Sequence, residues 1–133
     1  LSHSDPGRLP IIDARVLKRL RAELGTDAEY STTFVGNYLQ QLPLRTSRLR
    51  IALAHADRVA ALETVLSLKT SSWMVGAVCL GTLSRELESF LNALPEDELP
   101  LKMPELCGQN LIMDRIERCG RLTAQLLGAP EAA

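Results

Sequence analysis

Groups able to do chemistry are few in this chain of 133 residues. The histidines are His3 and His55, and the cysteines are Cys79, Cys107 and Cys119. No two cysteines have zinc-ligand or redox-motif spacing, and neither histidine completes a cluster with them. They read as reduced thiols packed as small hydrophobes, so no metal and no cofactor is expected. The densest polar set is Ser67, Lys69, Thr70, Ser71 and Ser72, within the stretch Leu62 to Ala77. A hydroxyl is a weak nucleophile until an adjacent base takes its proton. No histidine lies close by in sequence to act as that base. His55 falls in the preceding connection, more than ten residues from Leu66, which at about 1.5 Å per helical residue makes it remote. It reads as an exposed loop side chain.

The elements that must position this stretch are helices. Asp13 is a candidate N-cap for a short helix from Ala14 to Leu24, with Val16, Leu17, Leu20 and Leu24 on one side and Gly25 as its stop. A helix that short must dock on something. A longer one follows from Thr26-Asp27 to Ala54, its apolar side carried by Phe34, Tyr38, Leu42, Leu49 and Leu53. Pro43 should kink this helix without ending it, because the periodicity resumes beyond. Arg45, Arg48 and Arg50 give it a basic side, expected to be solvated. Asp57 caps a third helix, expected over Arg58 to Val78, in which Ala61, Val65, Leu68, Ser72, Val75 and Cys79 alternate steps of four and three.

A turn is expected near Gly81-Thr82, then a fourth helix through Leu83, Leu87, Phe90, Leu91 and Leu94 to Pro95. Glu96 to Pro104 reads as an exposed loop, because prolines and acids crowd it. A last helix is expected over Glu105 to Leu127, with Ile112, Ile116, Cys119 and Leu126 buried and Arg115, Arg118 and Arg121 outward. The pattern predicts an all-α fold: an antiparallel four-helix bundle with a short extra N-terminal helix. Residues 10–128 would form it, with 1–9 a disordered lead or cloning remnant and 129–133 a flexible tail.

Composition agrees. Hydrophobic residues make up 46% but aromatics only 4%, which favours helices. Fifteen Lys and Arg against sixteen Asp and Glu leave a net charge of -1, with no footprint for nucleic acid or an anionic membrane. No apolar run approaches the roughly 18 residues of a membrane span, and the N-terminus lacks a signal-peptide pattern, so a cytoplasmic domain is expected.

The run Val65-Leu66-Ser67-Leu68-Lys69-Thr70-Ser71-Ser72-Trp73-Met74-Val75-Gly76-Ala77 resembles the third helix of histidine phosphotransfer domains. That helix typically reads Ala-His-x-Leu-Lys-Gly-Ser-Ser-x-x-Leu-Gly-Ala. Leu80, Leu83, Leu87 and Glu88 continue the similarity downstream, and Tyr38, Pro43, Leu49 and Asp57 match it upstream. It covers residues 10–94, and the last helix only by its amphipathic pattern. The resemblance implies a bundle of that type in a two-component phosphorelay. It also implies two departures. Leu66 stands at the phospho-acceptor histidine and has no lone pair to attack a phosphoryl group. Thr70 replaces the glycine one turn on and adds a branched side chain on the same face. Lys69, which in the family helps hold phosphoryl oxygens, is retained. The domain is therefore expected to have no catalytic residue and not to be an enzyme.

Stepping 100° per residue from the inward seam leaves Leu66 pointing outward with Val59, Leu62, Thr70, Trp73 and Met74. An apolar outward face is an interaction patch unless something covers it. Three occupants follow. A response-regulator receiver domain or other signalling protein would dock on Leu62, Leu66, Lys69, Thr70 and Trp73. Alternatively the face makes a homodimer, giving a structural scaffold. In the third case the first helix folds over part of it.

Overall fold

The computed structural model describes residues 10–23 and 28–128. The expected lead and tail, the expected stop at Gly25 and the expected helix start at Thr26-Asp27 lie outside these. Among the described residues six α-helices follow in order: α1 (Ala14–Glu23), α2 (Ala28–Ala54), α3 (Arg58–Met74), α4 (Val78–Ala93), α5 (Leu99–Glu105) and α6 (Ile112–Gly128). No strand occurs among the described residues. Helices α2, α3, α4 and α6 pack as a closed ring, α2 on α3, α3 on α4, α4 on α6 and α6 on α2, which is the expected four-helix bundle.

The inward seam of α3 is as the spacing predicts: Ala61, Val65, Leu68, Ser72 and Val75 are all fully buried, with Cys79 half-buried beyond. They meet Tyr38, Leu42, Leu49 and Leu53 of α2, Leu80, Leu83, Leu87 and Leu91 of α4, and Met113, Ile116 and Cys119 of α6. Phe90 and Leu126 do not join them. Both are exposed, because α4 and α6 turn Leu87, Leu91 and Thr123 inward instead.

Several boundaries differ from the sequence reading. The third helix ends at Met74, and the chain reverses at Val75-Gly76-Ala77, not at Gly81-Thr82. Gly76 has φ of 80°. The Gly76 N–H donates to the Trp73 carbonyl at 3.2 Å and the Ala77 N–H to that of Ser72 at 2.8 Å. These two bonds are a Schellman motif, which asks for a left-handed residue at that point. Gly81 instead lies buried inside α4, where a Cβ would come within 2.8 Å of the Trp73 ring. Its lack of a side chain admits the indole.

The expected loop over Glu96 to Pro104 is a 3-10 turn, Glu96–Glu98, running into α5. Pro100 falls in the first turn, where an N–H has no helical acceptor anyway. Met103 from this segment is fully buried. The last helix starts at Ile112, seven residues later than expected, because Asn110 adopts φ of 63° and breaks the run. The Asn110 N–H donates to Asp114 at 3.0 Å, closing that turn.

Polar groups tie the ring together. Asp57 caps α3 as expected, accepting from the Ala60 N–H at 3.1 Å. Arg58 donates to the Leu91 and Leu94 carbonyls and so closes the free end of α4. The basic side of α2 is less solvated than expected. Arg50 makes a two-pronged ion pair with Glu117 of α6, at 2.8 and 2.7 Å, which raises its own pKa. Arg45 reaches Ser71, and only Arg48 of the three is exposed.

Tyr38 and Ser72 share a buried hydroxyl–hydroxyl bond of 2.8 Å between α2 and α3. Burial pushes the Tyr38 phenol up to about 12. The unfolded chain therefore releases this proton first, near its ordinary value of about 10, and stability is lost as pH rises from there toward 12. Tyr38→Phe should remove this tyrosine contribution to alkaline destabilisation. At neutral pH it should destabilise by about 1–2 kcal/mol, since Ser72 is left without its partner. Thermal melts of both proteins across that range provide the check.

Candidate functional site

The residues brought together by the outward side of α3 are best read from their angular order. Ser67 turns toward α2, where it lines a groove of about 780 Å³ with Gln41, Arg45, Ile51 and His55. Lys69 turns the other way and pairs with Glu88 of α4, Nζ to Oε1, at 2.6 Å. Leu66 and Thr70 lie between these directions and face out. Leu66 is 47% exposed. Val59 and Met74 are exposed on the same side, so the bare apolar positions of α3 recur at i, i+7 and i+15 around Leu66.

Two of the expected outward residues are placed otherwise. Leu62 is half-buried and packs against the core edge. Trp73 is half-buried because its ring crosses to Gly81 on the first turn of α4. The exposed stripe is therefore narrower than a wheel of 100° steps predicts. A long side chain near a helix end can lie down on the neighbouring helix, which angle alone does not reveal.

The first helix does not cover Leu66. Its start is fastened at the far end of α3, where the Asp13 N–H donates to the Gly76 carbonyl at 2.7 Å. A Cβ on Gly76 would sit 3.1 Å from that of Val16, so α1 rests directly on the reversal. Asp13 is its cap, accepting from the Arg15 N–H at 3.0 Å. The Arg15 guanidinium on the same carboxylate holds the Asp13 pKa below its ordinary value.

Chemically the face is quiet. Ser71 donates to the Ser67 carbonyl at 2.7 Å and accepts from Arg45 at 3.1 Å. Among the described residues, no carboxylate or imidazole is hydrogen-bonded to Ser67, Thr70 or Ser71 to act as base. His55 is exposed and lies on the rim of the same groove as Ser67, but its Nδ1 meets the Ile51 carbonyl at 2.9 Å. No group of three or more metal-ligating side chains occurs among the described residues. No described helix is long and apolar enough to cross a membrane. What the sequence reading missed is the groove itself. Its α2 wall, with Arg45, Arg48 and Ile51, adjoins the Ser67 side of α3, and only the packing of the two helices creates it.

No protein-family model matches the chain, and no curated protein matches it. Among solved structures, it is similar to the crystal structure of histidine-containing phosphotransfer protein B from Pseudomonas aeruginosa PAO1. The match has a TM-score of 0.72 over 91% of this chain and 94% of that one, at 22% sequence identity. The fold is thus that of a histidine phosphotransfer bundle.

Proposed function

We propose that this histidine-phosphotransfer-type bundle serves two-component signalling as a cytoplasmic docking module that carries no phosphate. One observation carries the reading: an exposed leucine, Leu66, stands where the resemblance puts the acceptor histidine, on the outward ridge of α3. A leucine there cannot be phosphorylated, and an exposed apolar side chain on a ridge is suited to contact a partner. Thr70 beside it fills the space that the family's glycine leaves open. Lys69, tied to Glu88, acts in this reading chiefly to hold α3 against α4, and Trp73 and Leu62 support the face from beneath. The partner is a receiver domain of a response regulator.

The test is a titration of receiver domains from the source organism, followed by calorimetry or by Trp73 fluorescence. At least one receiver should bind, and Leu66→Glu should weaken it by about tenfold or more, equivalent to about 1.4 kcal/mol. Incubation with a receiver charged by acetyl phosphate should leave no acid-labile phosphate on the domain. Label on the domain would overturn the phosphate-free part of the reading. A dimer by light scattering that Leu66→Glu dissociates, with no receiver bound, would replace docking by self-association, which the exposed Val59, Leu66 and Met74 would equally serve.

A further inference from the structure

Several basic side chains that reach between helices have protein acceptors: Arg50 pairs with Glu117, Lys69 with Glu88, and Arg58 closes the end of α4. The groove between α2 and α3 is different. Arg45, Arg48, Ala52 and His55 line it at steps of three and four, so they share one face of α2. Ala60, Thr64 and Ser67 form the α3 wall in the same way. Arg48 is exposed and pairs with no carboxylate among the described residues. Arg45 is half-buried and held by one nitrogen, Nη1, which donates to Ser71 at 3.1 Å. The rest of its fork has no acceptor among the described residues. At the other end, where α2 turns into α3, His55 meets the Ile51 carbonyl through Nδ1. That bond puts the proton on Nδ1 and leaves Nε2 of the neutral ring as an acceptor. Asp57 lines the groove at this same end.

We propose that this groove is a binding site for a nucleoside monophosphate. A phosphate accepts paired hydrogen bonds from guanidinium forks, and Arg45 with Arg48 presents two of them on one wall. At about 1.5 Å per residue, Arg48 and Arg45 stand about 10 and 15 Å along α2 from His55. An extended mononucleotide bridges that span. Ile51, Ala52 and Ala60 supply apolar surface between the two ends for the sugar and base. The base would then donate an amino or ring N–H to His55 Nε2 and to the Asp57 carboxylate. The volume of about 780 Å³ lies within the range of about 300–1,000 Å³ common to small-molecule sites. A longer polyanion fits less well, because Asp57 and Glu63 also line the groove and would repel further negative charge. The same repulsion disfavours an acidic peptide.

The check is an amide-resolved NMR titration of the whole chain with the monophosphates of adenosine, guanosine, cytidine and uridine. At least one should shift the amides that line the groove, with a Kd below about 1 mM. Inorganic phosphate and the matching nucleoside, each carrying half of the ligand, should bind at least about tenfold more weakly. Arg48→Glu should weaken the nucleotide by about tenfold or more with the melting point unchanged, since this exposed side chain has no partner to lose among the described residues. Silence with all the nucleotides, shifts confined to another face, or inorganic phosphate binding as tightly would each overturn the proposal. So would an unaffected Arg48→Glu protein, or a glutamate-rich peptide that binds more tightly than every nucleotide. No receiver enters the experiment, so its outcome is independent of the docking reading.

Discussion

Leu68→Ala should destabilise the bundle by about 2–5 kcal/mol, while Leu66→Ala two residues away stays within about 0.5 kcal/mol. Leu68 is wholly buried, and truncating it loses the transfer energy of its side chain and leaves a cavity in the close-packed core that cannot fully collapse. Leu66 is about half exposed and gives up little burial when shortened. Chemical denaturation of both variants measures the difference as a shift in midpoint at unchanged slope. The contrast matters for function. If Leu66 proved as costly as Leu68, the residue would be a core side chain and the docking face would have to be abandoned. A stable Leu66→Ala that loses receiver binding would instead separate the role of this position from its contribution to folding.

The second large effect is at the α3–α4 reversal. Gly76→Ala is expected to cost about 2–4 kcal/mol. A left-handed conformation costs an L-residue about 1–2 kcal/mol, and here the new Cβ would also lie 2.6 Å from the Asp13 carbonyl oxygen. That neighbour is backbone, so relief requires α1 to move, and the bond from the Asp13 N–H to the Gly76 carbonyl moves with it. The α2–α3 connection supplies the control. It has the same Schellman bonding, Asp57 N–H to the Ala52 carbonyl at 2.9 Å and Ala56 N–H to that of Leu53 at 3.1 Å, but the left-handed position is Ala56 with φ of 54°. Ala56→Gly relieves about 1 kcal/mol of that strain and loses a half-buried methyl worth nearly as much, so it should change stability by less than about 0.5 kcal/mol. Thermal or urea unfolding of the two variants gives the comparison. A Gly76→Ala protein as stable as its parent would show that α1 is not seated where the structure places it.

These two sites mark what a one-dimensional pattern can and cannot carry. The alternation of four and three from Ala61 to Val75 identifies the buried side of α3, because a helix dictates which residues share a face wherever it packs. The same rule places Leu66 and Thr70 outward. It does not locate the end of α3, since Gly76 and Gly81 are both plausible stops. Gly76 is the stop because the Schellman bonds form around it, and Gly81 is absorbed into α4 as the seat of an indole from another helix. Pro100 and Pro104 likewise read as loop residues, although a first turn tolerates Pro100 and Met103 between the two prolines has a core to fill.

The helical class, the inward seam, the caps at Asp13 and Asp57, and an apolar residue at the outward position 66 are all legible in the amino-acid sequence. Each of those follows from local periodicity or from a side chain bonding its own backbone neighbours. Packing between helices alone brings Glu88 to Lys69, Gly81 beneath Trp73 and Glu117 to Arg50. Those pairs span 8 to 67 positions of chain and exist because two helices happen to abut where long side chains can reach. The stretch from Leu62 to Ala77 shows both kinds of information at once: its faces are written in its spacing, and the width of its exposed face is set by what α4 takes from it.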